Sequence, residues 1–391
     1  MRKSSAILAA LCVSVFVVGT SEYLIAGLLP QVAEDLNVSV GAAGQTVTAY
    51  ALGVVLGGPV VTLLTVRLPR KGLALLLLLL FAAGSAVSAF ASSYEMLLAG
   101  RVLSSLSHAA FFALALVVAS RAVPADRVGR ATAAVVSGLT VATVLGVPLG
   151  ERTSWRTPFV VLTALTLLGA ILLAAVLPRQ DTGSAGARAE IRVMAQRPVL
   201  LAIATTAVGY AGVATVFTYI APLLTDVTGF AAPTISVLLL AYGGGSFLGN
   251  LIAGRLTDRA PAATLRGVFA ALALLLAGTP FAVTFQPTAV LAVLGLGLLA
   301  TATIAPLQGL TLRHAQHAPT LAVSVNVGAF QLATALGSAI GGVIVAADAL
   351  RWIGGAGAVL SALGLVLSCY ALPLRPRPAP IAAETGTPTA V

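Results

Sequence analysis

Twelve apolar runs of about 20 residues, separated by short polar or charged breaks, recur along the 391-residue chain. A run of this length is what an α-helix needs to cross the hydrocarbon core of a bilayer. Only 9% of the residues are charged, whereas soluble domains carry about a quarter. The mean hydropathy is +1.03. These features predict an all-α integral membrane protein with twelve transmembrane helices, and no break is long enough to fold into a soluble domain.

The basic residues fall on alternate breaks, and this distribution predicts the orientation of the chain. The cytoplasmic breaks of a membrane protein carry an excess of Lys and Arg. Both termini are therefore expected in the cytoplasm, in a protein of the inner membrane. The net charge of +10 then reflects membrane orientation and not nucleic-acid binding. The basic breaks hold Arg2 and Lys3; Arg67, Arg70 and Lys71; Arg121, Arg127 and Arg130; Arg179, Arg188, Arg192 and Arg197; Arg255, Arg259 and Arg266; Arg313; and Arg375 and Arg377.

Glu22 lies well inside the first apolar run, from Ile7 to Leu29, deeper than any other acidic residue in such a run. A charge at that depth costs about 2.5–3.5 kcal/mol on insertion scales, so it needs a partner, a wet cavity or a proton. The carboxyl is therefore a candidate proton site. The alternative is a structural role, in which a protonated carboxyl forms a hydrogen bond to a neighbouring helix.

Two further ionisable residues, Arg101 and His108, lie seven residues apart in the fourth run and so on nearly the same helical face. Arg101 stays charged, so it faces a cavity, a carbonyl cluster or a carboxylate, or else extends to the outer interface. His108 lies deeper in the run. It either packs with a hydrogen bond or relays protons, which makes it a candidate for proton coupling beside Glu22 and Arg101.

A segment of the second run recurs in the eighth run at a constant offset of 192 residues. The repeat predicts two homologous six-helix bundles related by an axis along the membrane normal. We expect bundles at 1–177 and 199–374, a cytoplasmic linker at 178–198 and a disordered cytoplasmic tail at 375–391. The matching residues are Tyr50, Gly53, Leu56, Gly57, Leu64, Thr65 and Arg67, which return as Tyr242, Gly245, Leu248, Gly249, Leu256, Thr257 and Arg259.

Small residues at four-residue spacing mark the fifth and eleventh runs. Such stripes let a second helix approach closely, and Pro148 bends the fifth helix. By themselves the stripes predict helix packing and nothing more. The residues are Gly138, Ala142, Gly146 and Gly150 in the fifth run, and Ala329, Ala333, Gly337 and Gly341 in the eleventh.

Gly254 to Arg259 resembles the signature of the loop between helices eight and nine in the major facilitator superfamily. The equivalent loop between helices two and three is degraded, since Thr62, Val66 and Pro69 stand where the family has Gly, Asp and Gly. Gly146-Val147-Pro148-Leu149-Gly150 is similar to the helix-five signature of antiporters, and Arg101 matches the helix-four arginine. The resemblance covers nearly the whole chain. It implies gating roles for Arg67, Arg70, Gly146, Pro148, Gly150, Gly254, Asp258 and Arg259.

Within this superfamily, the chain looks like the drug:proton antiporters, with the segments 21–40 and 100–112 closest to actinomycete chloramphenicol-resistance exporters. The resemblance implies alternating access, in which an inward proton exchanges for an outward drug. It also implies a monomer in membrane lipid that is driven by the proton gradient and has no cofactor. Candidate contacts to the drug are the rings of Tyr50, Phe111, Phe112, Tyr210 and Tyr219 and the amides of Asn250 and Gln331.

Other functions remain open at this point. The same architecture suits export of a sugar or another metabolite, and a membrane sensor that moves no substrate is a second alternative. An enzyme is disfavoured, because the sequence lacks a paired acid, a nucleophile with its base or metal-ligand spacing near one interface. His314 and His317 have no third ligand in view, so we expect a solvated break and not a metal site.

Overall fold

The computed structural model describes residues 2–24, 28–150, 154–178 and 186–371 of the chain. The described residues form helices and connecting turns, without a strand. The described residues contain eleven helical stretches that are long and apolar enough to cross a membrane, and two of these, 42–65 and 286–314, are interrupted helices. The predicted fifth span corresponds to a further helix, Val128–Gly150. The structure describes the side chains of this helix only as far as residue 139. The all-α membrane fold expected from the sequence is confirmed.

The first half of the chain forms eight helices, and a π-helical turn at Gly53–Gly57 lies inside the second span. The short helix α2 lies between the first and second spans. The helices are α1 (Arg2–Leu24), α2 (Leu29–Asp35), α3 (Val40–Leu52), α4 (Gly58–Thr65), α5 (Arg70–Ala89), α6 (Tyr94–Arg121), α7 (Val128–Gly150) and α8 (Thr157–Val176).

A short helix in the predicted linker precedes the second half of the chain. The second half contains another π-helical turn, at Leu223–Val227. Its signature segment, Gly254 to Arg259, was predicted in a loop but forms the last turns of a helix. The helices are α9 (Ala187–Met194), α10 (Arg197–Phe217), α11 (Ile220–Pro222), α12 (Ala232–Arg259), α13 (Pro261–Ala282), α14 (Gln286–Ala302), α15 (Ile304–His314), α16 (Pro319–Ala346) and α17 (Ile353–Ala371).

Local sequence explains where several helices begin. The Ser39 hydroxyl accepts a hydrogen bond from the Ala42 N–H at 3.1 Å, and Ser93 accepts one from the Met96 N–H at 3.3 Å. Each serine thereby satisfies a backbone donor that the first turn of a helix leaves free. Proline stands in the first turn of α8, α10, α12 and α16, where its missing N–H costs nothing.

Most of the buried apolar side chains fall into two clusters that follow the two halves of the chain. One cluster is built from α1 to α8, and it is joined by Ile304, Val323 and Val327 from the second half. The other cluster is built from α10 to α17. Phe330 packs against both. The two bundles thus contact each other through α15 and α16, and α12 also packs extensively on α7. The predicted tail, 375–391, lies outside the described residues.

The small stripes are sites of close helix packing. A Cβ atom at Gly138 would lie 2.7 Å from the Phe16 backbone nitrogen of α1, closer than real Cβ contacts. A Cβ at Gly337 would lie 2.7 Å from the Thr215 nitrogen of α10. The fifth and eleventh spans thus press against the first and seventh in the same way, as the repeat requires.

Candidate functional site

Two adjoining open cavities lie between the bundles, with volumes of about 520 and 690 Å³. Both cavities are lined by Glu22, Leu139, Tyr210, Ile304 and Thr334. The first cavity is lined in addition by His108, Phe112, Gln308, Val327, Phe330 and Gln331, and the second mainly by Phe217, Thr218, Tyr242, Ser246 and Thr301.

Glu22 of α1 forms a direct link between the two bundles. The amide nitrogen Nε2 of Gln331, on α16, donates a hydrogen bond to Glu22 Oε1 at 2.6 Å. The other carboxyl oxygen, Oε2, lies 3.8 Å from His108 Nε2 on α6. The side chain of Glu22 is 19% exposed, and that of His108 only 4%. An acid at membrane depth therefore has both a polar partner and access to the cavity.

Behind Glu22, a chain of polar contacts leads to the buried arginine. The Tyr50 hydroxyl and His108 Nδ1 are 2.9 Å apart. The Arg101 guanidinium lies over the Tyr50 ring, with Cζ 4.1 Å from the ring centroid. Its Nη1 donates to the backbone oxygen of Ser21 at 2.7 Å and to the Ser21 hydroxyl at 2.9 Å. Arg101 is 1% exposed, so the alternative that it extends to the outer interface is wrong.

The sequence candidates for drug contact divide into two groups. Phe112, Tyr210 and Gln331 line the first cavity, whereas the remaining four candidates line neither cavity. Tyr50 is buried behind His108, and Phe111 lies in the core of the first bundle, 1% exposed.

The last two candidates are engaged in packing between helices. Tyr219 donates to the Ser338 backbone oxygen at 2.9 Å within the second bundle. Asn250 donates from Nδ2 to the Ala133 oxygen at 2.7 Å and to the Ser137 hydroxyl at 3.1 Å, across the two bundles. Each of these four side chains lies in a helix contact and lines neither cavity, so their role as drug contacts stays a prediction.

Several cavity residues were not singled out from the sequence as drug contacts. Phe330 and Tyr210 form an edge-to-face pair with ring centroids 4.9 Å apart, and Phe217 packs on Tyr242 at 4.6 Å. The 192-residue repeat carried a usable signal for Tyr242, which is the counterpart of Tyr50. No comparable signal marked Phe217 or Phe330.

Gln308 is a lining residue with an unsatisfied donor. It is 1% exposed, and its Oε1 accepts a hydrogen bond from Asn326 Nδ2 at 3.2 Å. Among the described residues, its own amide nitrogen Nε2 has no hydrogen-bond partner. Buried polar groups are nearly always paired, so an unpaired N–H group on a residue that lines the cavity is unusual.

Asp258 joins the bundles at the end of the molecule that carries Arg67, Arg130 and Arg259, which we call the basic end. Its Oδ1 accepts a hydrogen bond from the Gly129 N–H at 2.6 Å, and Arg130 Nε approaches Oδ2 at 2.8 Å. The Arg130 N–H also donates to Oδ2 at 3.2 Å. Asp258 thus receives donors from the first turn of α7, where an acid is favoured by the helix dipole.

Of the other residues in the expected gating motifs, Gly254 lies at this contact. A Cβ at Gly254 would lie 3.1 Å from the Gly129 oxygen, so the glycine permits close approach of the bundles. Arg67 and Arg259 are exposed and Arg70 is partly buried. Gly146, Pro148 and Gly150 belong to α7, but their side-chain environment lies outside the described part of the chain.

Two repeated helical bundles around a cavity with a buried acid define a membrane transporter. The family comparison agrees, because the model of the Major Facilitator Superfamily matches residues 11–322 and 204–390. The chain belongs to this superfamily. It is therefore a transporter and not an enzyme.

Similar proteins include several bacterial transporters. The MFS-type transporter YtbD of Bacillus subtilis is 40% identical over 362 residues, covering 89% of this chain and 91% of YtbD. The inner membrane transport protein YdhP of Escherichia coli is 36% identical and covers 92% of this chain and 94% of its own. A chloramphenicol resistance protein of Streptomyces lividans is 39% identical over 339 residues, covering 84% and 86%.

A solved structure with the same fold is that of the fucose:proton symporter FucP of Escherichia coli. It matches with a TM-score of 0.79 at 16% identity and covers 93% of this chain and 98% of its own. At this identity the likeness concerns the fold alone.

Proposed function

We propose that this transporter exports a small amphipathic drug of the chloramphenicol type across the bacterial inner membrane in exchange for protons. Both termini lie in the cytoplasm, and the protein acts as a monomer without a cofactor. The observation that carries the proposal is the position of Glu22, at the cavity wall and hydrogen-bonded across the bundles to Gln331. The 39% identity to the Streptomyces lividans protein supports the drug class.

Proton coupling is supported by the surroundings of Glu22. Withdrawal of a carboxyl from water favours its neutral form, and a hydrogen-bond donor or cation favours the ionised form. The Gln331 donor belongs to the second bundle and the His108 ring to the first. A relative movement of the bundles therefore changes the groups around Glu22 and, with them, its proton affinity. This is the property that a coupled exchanger needs.

The cavity suits a neutral aromatic molecule. Its walls combine the rings of Phe112, Tyr210 and Phe330 with the amides of Gln308 and Gln331. Pockets for such ligands are mainly apolar, with a few placed polar groups that fix the orientation. The unpaired Gln308 N–H supplies one donor for an acceptor on the drug.

Flux measurements in everted membrane vesicles test this function. We expect chloramphenicol to accumulate when a proton gradient is imposed and accumulation to cease with a protonophore. Flux of a sugar or another metabolite, with none for the drug, would reassign the substrate. Absence of gradient-driven flux for every substrate, with tight drug binding retained, would contradict transport of the drug and favour a sensor.

A further inference from the structure

The first turns of α7 and α16 occupy equivalent places in the two repeats. Residue 321 lies 192 positions after residue 129, the same offset that relates the repeated segments. The Gly129 N–H of α7 donates to Asp258 at 2.6 Å. The Leu321 N–H of α16 donates to Oε2 of Glu190 at 2.9 Å. Each helix start thus gives its equivalent N–H to a carboxylate, but the two acids come from different parts of the chain.

The repeat identifies which acid is missing. The residue 192 positions before Asp258 is Val66, at the end of α4. A valine side chain cannot accept a hydrogen bond, so the equivalent segment of the first half provides no acceptor for α16. Without a substitute, the N–H groups of that first turn would lack a partner. Glu190 lies in α9, between the two bundles in sequence and outside the repeat.

Glu190 is held firmly in this position. It is only 1% exposed. Carboxylates are rarely buried without a partner, and here the Leu321 N–H is a partner. On the same helix, Val193 packs with Val199, Ala315, Ala318 and Ala322, so α9 lies against the start of α16.

The groups that interact with Glu190 come from both bundles. Burial raises the pKa of the Glu190 carboxyl, while the backbone N–H groups of Leu321 and Thr320 and the charge of Arg121 lower it. Arg70 also interacts electrostatically with Glu190. Arg70 and Arg121 belong to the first bundle, whereas α16 belongs to the second. The carboxylate therefore attracts both sides of the basic end.

We propose that Glu190 takes the place of the acid that the first repeat lacks at position 66. It is a positioning residue, which caps α16 and holds the basic end of the two bundles closed. Because α16 also carries Gln331, the same contact sets the position of the donor to Glu22. The inference rests on the alternating-access cycle proposed above, but it depends neither on the drug nor on proton coupling.

Distance measurements between spin labels test the proposal. Labels are placed at Ala125→Cys in the first bundle and Gln316→Cys in the second, in a Cys12→Ser/Cys369→Ser background. Both labelled positions are exposed at the basic end. In nanodiscs without drug, we expect Glu190→Gln to add a population with a longer distance, as Asp258→Asn should. Asp126→Asn is the matched control, since this exposed acid at the same end forms its ion pair among the described residues with neighbouring Arg127, at 3.9 Å.

The decisive variant is one that restores an acid at the equivalent position of the first repeat. We expect Val66→Asp, added to Glu190→Gln, to remove the longer-distance population. An unchanged distribution in Glu190→Gln, or a shift that Val66→Asp does not reverse, would overturn the proposal. If Glu190→Gln does not purify as a monodisperse protein, the double variant carries the test. Recovery of monodisperse protein with the parent distance supports it, and failure to recover contradicts it. Loss of drug flux in vesicles with these distances as expected would contradict only the proposed function.

Discussion

At the level of single residues, the main feature is that the ionisable side chains of Glu22, Arg101 and His108 contact side chains or backbone of other helices. Glu22 on α1 faces His108 on α6 and accepts a hydrogen bond from Gln331 on α16. Arg101 is bonded to Ser21, directly next to Glu22 in sequence. The acid and the arginine are thus connected through one turn of α1. A conservative substitution of one of these side chains can therefore show whether it serves proton transfer or only helix packing.

Replacement of Glu22 by Gln removes ionisation while size and hydrogen bonding are retained. We expect a folded protein that still binds the drug but no longer accumulates it against its gradient when a pH difference is imposed. Vesicle flux and equilibrium drug binding measure the two properties separately. Glu34→Gln, at an exposed acid of α2, should behave as the parent. Full gradient-driven export by Glu22→Gln would exclude this residue, and His108 would then be the next candidate.

Replacement of Gln308 by Leu removes the unpaired donor from the cavity. We expect weaker drug binding by a factor of about 2–10, since one hydrogen bond contributes about 0.5–1.5 kcal/mol. Titration calorimetry of the purified protein measures the affinity. Asn326→Leu is the control, because it breaks the Gln308–Asn326 hydrogen bond, together with the bond from Thr206 to Asn326, but leaves the Gln308 N–H in place. Equal losses in the two variants would show that the bond between the side chains matters and not the free donor.

At the level of helices, the two repeats use the same devices with different residues. Gly138 and Gly337 each allow a neighbouring backbone to approach. Asp258 and Glu190 each accept from the first turn of an equivalent helix. The π-helical turns at Gly53–Gly57 and Leu223–Val227 lie in non-equivalent spans. Symmetry is therefore retained in helix packing and relaxed in the polar contacts.

Gly337→Ala tests the close packing of α16 on α10. The added Cβ would lie 2.5 Å from the Ala211 oxygen, and backbone cannot move aside as a flexible side chain can. We expect a loss of about 1–3 kcal/mol, the usual cost of overpacking, and a lower thermal unfolding temperature. Gly278→Ala on α13 is the matched control, with nothing within 4 Å of its Cβ position. Its stability should be unchanged or slightly higher, since Ala favours a helix over Gly. Equal unfolding temperatures would contradict the packing argument.

At the level of the whole molecule, the described hydrogen bonds between bundles lie near the centre and at the basic end. Glu22–Gln331 is central, while Asp258 and Asn250 bond to α7. At the other end, the Arg156–Asp35 ion pair, at 2.7 Å, stays within the first bundle. There, hydrogen bonds from Arg156 and Trp155 lower the pKa of Asp35. The molecule is thus joined across the bundles on the side that the charge distribution predicts to be cytoplasmic.

Cysteine labelling in intact cells tests this orientation. Glu34→Cys and Gln316→Cys are placed at exposed positions on opposite ends, in the Cys12→Ser/Cys369→Ser background. We expect a membrane-impermeant maleimide to label position 34, and position 316 to be labelled only after permeabilisation. The positive-inside bias of the basic breaks is the physical reason. The reverse labelling pattern would overturn the orientation and with it the proposed direction of export.

Much of the architecture was accessible from the sequence, because it depends on properties that are local or periodic. The length of the apolar runs predicted the spans, and the 192-residue offset predicted two halves, which the two clusters of buried side chains follow. The depth of Glu22 in its run was enough to identify it as a candidate, since hydration of a charge depends on distance from water. The small stripes likewise predicted where helices approach closely.

The face that each helix turns to the cavity was decided only by the tertiary structure. Tyr50 and Tyr242 are equivalent in sequence, yet Tyr50 is buried against Arg101 and His108 while Tyr242 lines the cavity. A span that is apolar all round has no periodicity to reveal its rotation, so packing against its neighbours sets it. The acid that caps α16 was hidden for a related reason: Glu190 lies 131 residues from Leu321 along the chain, and only the folding of α9 onto the second bundle brings the two together.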